Sequence, residues 1–180
     1  MSDTLPAAPR SEPLIPIRDS ILGLSALVLP GAGFVLGLTI VSGRPGFPDL
    51  GDPSTIPWQL WLIGFAGIAA TVCGFLDWHY HATGRRVVGK RERHGELIAL
   101  ALGGAPLFVL MMWSSVTTRP ERLLLPIIGA LLFTTAMICY DEFVYHRRAC
   151  TRYEAILHRV LVFGNGIAWA AWMHWIFVRG

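Results

Sequence analysis

The sequence predicts an all-α integral membrane protein with five transmembrane helices, spans 2 to 5 forming a pseudo-twofold four-helix bundle of two repeated hairpins. Three observations predict it. The 180 residues are 53% hydrophobic and only 15% charged, with mean hydropathy +0.51. Soluble domains carry about 25% charged residues. Five apolar runs, at 20–42, 57–80, 96–116, 123–145 and 155–178, each approach the roughly 20 residues that cross a bilayer. Spans 2–3 and 4–5 also repeat one another, as set out below.

Residues 1–17 are polar and Pro-rich and read as a flexible cytoplasmic tail. They lack the basic start, apolar core and small-residue cleavage site of a secretory leader. Residues 18–180 read as a single transmembrane helical domain, with span 1 peripheral to the bundle. Span 1 contains "PGAG" at Pro30–Gly33, which predicts a kink. The first connection, "GRPGFPDLGDPSTIP", is rich in turn residues and nearly uncharged, which predicts an ordered loop outside the membrane.

Orientation follows the basic residues. The connection after span 2 holds Arg85, Arg86, Lys90, Arg91 and Arg93, and the one after span 4 holds Arg147, Arg148 and Arg152. The opposite connections hold Arg44, Arg119 and Arg122. The basic loops should be cytoplasmic, in a cytoplasmic (inner) membrane, with the amino terminus inside and the carboxy terminus outside. Cys73, Cys139 and Cys150 show no CxxC spacing and read as packing residues or free thiols.

The repeat is clearest in its ionisable residues. "DWHYH" at Asp77–His81 matches "EFVYH" at Glu142–His146 at an offset of 65. "ERHGELIALALGGAPLFVLMMW" from Glu92 matches "EAILHRVLVFGNGIAWAAWMHW" from Glu154 at an offset of 62. Residues four apart share a helix face. Asp77 with His81, Glu92 with Glu96, Glu142 with His146, and Glu154 with His158 therefore form four paired faces. All four fall at the basic-loop ends of their spans. A four-helix bundle can bring them to one level.

Five carboxylates at one level repel strongly in low dielectric. Two metal ions would neutralise them. Oxygen and imidazole donors without thiolate suit iron first, with manganese or zinc as alternatives. The arrangement is similar in architecture to the ferritin-like di-iron proteins. Those proteins use Glu-x-x-His pairs, three residues apart, whereas this chain uses spacings of four, so no residue roles carry over. The expected metal ligands are Asp77, His81, Glu92, Glu96, Glu142, His146, Glu154 and His158, with Tyr80, Asp141 and Tyr145 as hydrogen-bonding supports. The competing reading pairs these acids and histidines singly with Arg85, Arg93, Arg147 or Arg159.

Other polar residues are weaker candidates. His79 and His94 fall on the faces opposite the ligand pairs, and His174 lies near the outer end of span 5. Gly103, Gly104, Gly164 and Gly166 should permit close helix packing. Asn165, inside an apolar span, needs an interhelical hydrogen-bond partner.

The expected function is an integral-membrane di-metal oxidoreductase, a di-iron oxidase or oxygenase in the first instance. Its substrate would be a lipid or quinone entering from the bilayer near the cytoplasmic face. The alternatives are a haem-binding membrane subunit, or a non-catalytic subunit or metal carrier within a larger membrane complex. The histidines sit beside carboxylates at span ends, which disfavours haem. Membrane lipid is the expected surrounding, and no nucleic-acid partner is expected.

Overall fold

The computed structural model describes residues 17–83, 95, 97–144 and 151–178, without the side chains of 141–144. Apart from Ile17, the predicted tail lies outside the described residues. So do the connection Gly84–Lys90, His94 and Cys150. The described chain is all-helical, with five helices long and apolar enough to cross a membrane.

Helix α1 runs Ile17–Val41. It passes through Pro30, which cannot donate the backbone hydrogen bond of its turn. Asp19 in the first turn complements the positive end of the helix dipole. The following loop is tied by its own side chains. Leu50 N–H donates to Ser42 Oγ at 2.8 Å, Asp49 N–H to Thr55 Oγ1 at 2.9 Å, and Ser54 Oγ to Asp52 Oδ1 at 2.7 Å. Gly43 and Gly46 adopt φ of +71° and +84°, a region that strains any residue with a Cβ. The ordered loop expected from its turn residues is thus present.

Helix α2 is Trp58–Ala82, opened by Pro57 and closed by the Thr83 hydroxyl on the carbonyls of His79 and Tyr80. Helix α3 spans Leu97–Val116. Its residues Leu100–Gly104 wind as a π-helix before regular α-helix from Ala105 to Val116. Pro106 explains the widened turn: it has no N–H to give the carbonyl one turn back, so the ladder reorganises ahead of it. Helix α4, Leu124–Val144, follows a short 3₁₀ turn at Pro120–Leu123. Helix α5, Arg152–Phe177, begins at a capping box built by Thr151 and Glu154.

Helices α2 and α5 lie antiparallel along their whole length. Gln59 meets His174 at one end and His81 meets Glu154 at the other. Gly164 makes this possible in the middle. A methyl group there would stand 3.0 Å from the Ala66 carbonyl and 3.1 Å from Ala70 Cβ, so the missing side chain lets the backbones approach. Helix α3 packs on α4 in the same manner, with Gly103 directly against the Thr134 hydroxyl and Phe133. Of the four glycines expected to allow close packing, Gly103 and Gly164 do so across helices. Gly104 faces only Leu100 of its own helix, and Gly166 faces open space.

Among the described residues, the buried core that joins the two pairs lies at one end. Leu60 and Ile63 of α2, Leu107 and Met111 of α3, Ile127 of α4, and Ala171, Trp172 and Trp175 of α5 form one buried cluster. Trp172 is its hub. It lies edge-on to Phe34 and Phe108, stacks on Trp169, and donates Nε1–H to Ser115 Oγ at 2.9 Å. Helix α1 has no buried residue of its own, but it lays Phe34 and Leu38 on this cluster. Large side chains elsewhere stand in the open, Leu125 at 80% and Phe65 at 68% exposure. Water penalises so much exposed apolar surface. With the five apolar helices, it suggests a membrane protein.

Candidate metal centre

The site lies at the opposite end of the bundle from the core, where α2 ends and α5 begins. Asp77 and His81 are one turn apart on α2, so helix periodicity alone aligns them. His81 Nε2 stands 3.7 Å from Asp77 Oδ2. Glu154 arrives from α5, with Oε1 at 3.4 Å from the same nitrogen. One donor atom from each residue lies within 4.8 Å of the others. Glu154 is fully buried and His81 is 8% exposed.

Local structure places Glu154. Thr151 is the N-cap of α5, and its Oγ1 accepts from Glu154 N–H at 3.3 Å. Thr151 N–H donates back to Glu154 Oε2 at 3.4 Å. This reciprocal pair is the capping box. It turns one carboxylate oxygen toward the backbone and leaves Oε1 facing His81. Tyr80 adds a cross-helix prop, its hydroxyl 3.4 Å from Thr151 Oγ1 and its ring against those of His81 and Tyr153. The "TRYE" spacing, Thr151 to Glu154, is the signal of this box in the sequence. Tyr80 was expected to support the site, and it reaches the cap of a candidate ligand.

The three donor atoms form a possible metal-ligand group. Direct bonds from a ring N–H to oxygen are about 2.7–3.2 Å long, and both approaches to His81 exceed that. Donors held about 2.0–2.2 Å from a tetrahedral or octahedral ion stand roughly 3.0–3.6 Å apart. The 3.4 and 3.7 Å edges are close to that spacing. Two ionised carboxylates within 4.8 Å repel by at least about 3 kcal/mol at an effective dielectric of about 20. A cation between them would remove that cost. The donor set of two carboxylates and one imidazole could hold a metal ion.

The other expected ligands fall differently. His158 sits one turn beyond Glu154 with Nε2 buried, but it is not among the three clustered residues. Glu92, Glu96 and His146 lie outside the described residues, as does Tyr145. Glu142 and Asp141 have described backbone in α4 but no described side chain. His79 is exposed, in line with its expected place off the ligand face. His174 pairs with Gln59, Nδ1 to Nε2 at 2.9 Å, a contact that spacing could not announce. Among the described residues, both ion pairs converge on His81, and Arg152 and Arg159 are exposed. A cavity of about 170 Å³, lined by Ser114, Ser115, Thr117, Pro120, Trp175 and Ile176, lies at the far end and holds no titratable side chain.

No protein-family model matches the chain, and no curated protein or solved structure matches it.

Proposed function

We propose that the protein is an integral-membrane metalloprotein with a carboxylate–histidine centre where α2 and α5 meet. The observation that carries this reading is the fully buried Glu154 brought from α5 onto the Asp77–His81 face of α2. Burying a carboxylate beside a second one is costly unless a cation or proton compensates it.

The repeat extends the proposal to two ions. Under the offsets of 62 and 65, Glu92, Glu142 and His146 are the counterparts of Glu154, Asp77 and His81. Packing supports the pseudo-twofold relation. The same offsets carry the Gly103–Thr134 contact of α3 with α4 to within one residue of the Gly164–Ala70 contact of α5 with α2. The second triad would close a di-metal centre, iron in the first instance. A bound redox metal supplies oxidation chemistry, and the chain's own residues hold it, exclude water on the α2–α5 side and fix the orientation of Glu154. The activity we propose is oxidation of a lipid-soluble substrate near the cytoplasmic face.

Metal analysis of detergent-purified protein tests this directly. We expect about two ions per chain, and at least one after loading. Substoichiometric metal after loading, with the protein intact and helical, overturns the reading.

A further inference from the structure

Between the close crossing at Gly164 and the metal centre, the cleft of α2 and α5 is closed by a third helix. Gly74 and His81 are seven residues apart on α2, and Glu154 and Leu161 seven apart on α5, so each pair shares a face to within about 20°. Gly74 thus faces the cleft about 4.5 Å above Asp77, toward the core, and about 10 Å above His81. Leu161 of α5 and Leu27 of α1 fill the notch it leaves. A methyl group on Gly74 would stand 3.2 Å from Leu161 Cδ1 and 2.7 Å from Leu27 Cδ1. Leu27 is a wedge that comes from outside the α2–α5 pair.

Helix α1 is held unevenly about Pro30. Above the proline, Phe34 lies edge-on to Trp172 with ring centroids 4.7 Å apart, and Leu38 packs on the core. Gly33 and Gly37 receive Phe108 and Met112 of α3 so closely that a methyl group would stand 3.1 and 2.6 Å from them. Below Leu27 the helix stands off. Gly23 is one turn down and within about 40° of the direction of Leu27, yet a methyl group there would meet nothing within 4 Å. Helices α1 and α2 are antiparallel, since Leu38 meets the Leu60 cluster while Leu27 meets Gly74. The open space at Gly23, about 6 Å below Leu27, therefore lies between the levels of Asp77 and His81. The Asp77 side chain keeps 19% exposure, where that of Glu154 keeps none. Pro30 has no N–H for the Ala26 carbonyl, so the helix can bend between its two halves.

We infer that the amino-terminal half of α1 is a lateral gate on the metal centre, hinged at Pro30 and latched by Leu27 in the Gly74 notch. The inference rests on the proposed metal centre and names how bilayer-dissolved molecules reach it. With the latch seated, Leu27 and Leu161 seal the cleft above Asp77. When Leu27 lifts out, the cleft opens sideways to hydrocarbon, and a lipid-soluble substrate gains the Asp77 side of the centre. Such a latch costs little to open. It breaks no hydrogen bond or ion pair, and lipid tails are as apolar as the leucine they would receive.

Spin labels test the hinge, in the purified full chain without its native thiols and in lipid nanodiscs. Labels at Ile21→Cys and Ile156→Cys, both exposed positions, report the separation of the lower half of α1 from α5. Labels at Ile40→Cys and Val178→Cys, also exposed, report the upper half. Double electron–electron resonance should give two separations for the lower pair and one for the upper. Leu27→Ala should raise the wider lower population about tenfold, Pro30→Ala should abolish it, and neither should alter the upper pair. In iron-loaded protein, the rate at which lipid-soluble phenanthroline removes the metal should follow the wider population, while the rate for water-soluble EDTA should not. A single lower separation that ignores Leu27→Ala overturns the inference. So does phenanthroline removal at the wild-type rate in both variants. Two lower separations in a protein that binds no metal after loading would sink the metal reading and leave the hinge standing.

Discussion

Glu154 has both of its oxygens committed, Oε2 to the backbone of Thr151 and Oε1 toward His81. Gln can replace Glu in a capping box but brings no charge to a metal. Glu154→Gln should therefore keep α5 folded, with an unchanged circular dichroism spectrum, and lower metal affinity at least tenfold by competition with a chelating dye. An unchanged affinity would show that Glu154 serves the helix end alone. Thr151 acts one step back. Thr151→Ala should cost about 0.5–2 kcal/mol as a lost N-cap and loosen metal binding by freeing Glu154. Thr151→Ser should restore both, measured as melting temperature and metal dissociation constant. Aligning Asp77 with His81 needed only a spacing of four, and the sequence showed it. The 3.4 Å approach of Glu154 from another helix depends on how α2 and α5 are rotated against each other, which spacing does not encode.

Among the elements, the α2–α5 pair positions the site, and Gly164 governs their separation. Gly164→Val would push a branched side chain onto the Ala66 carbonyl, where even a methyl stands at 3.0 Å. The expected cost is about 1–3 kcal/mol, with metal content falling because Glu154 and His81 ride on the two separated helices. Gly166→Val, which faces open space, is the matched control and should do neither. The loop before α2 carries its own pH dependence. Hydrogen bonds from the Ser54 hydroxyl and then its N–H hold the Asp52 carboxyl below its usual value of 3.8. A lowered value means that this contribution is complete above about 3.8 and fades as pH falls through the folded-state value. Amide exchange at Ser54 should quicken in Asp52→Ala at neutral pH, and in the native protein only on strong acidification. Asp52 is fully exposed, so global stability should hardly respond.

At the scale of the molecule, the core and the candidate site occupy opposite ends. Trp172 and its neighbours fix the four bundle helices at one end, and the triad closes α2 on α5 at the other. If the basic connections are cytoplasmic, a single cysteine placed at Gly84, in a variant lacking the native thiols, should resist impermeant maleimide in intact cells and react after lysis. Labelling from outside would reverse the topology and put the site on the outer face.

The sequence alone determined the helical class, the five helices long and apolar enough to cross a membrane, and the register that sets Asp77 and His81 on one face of α2. Each of these follows from hydrogen bonding between near neighbours and from the hydrocarbon thickness, both written into local pattern and run length. Only the tertiary structure decided that Glu154 joins Asp77 and His81, that His158 stays outside this cluster, and that Gly164 rather than Gly166 meets a partner. Those outcomes depend on how far each helix turns and slides against its neighbour. Many weak side-chain contacts settle that together, and no single stretch of sequence carries it.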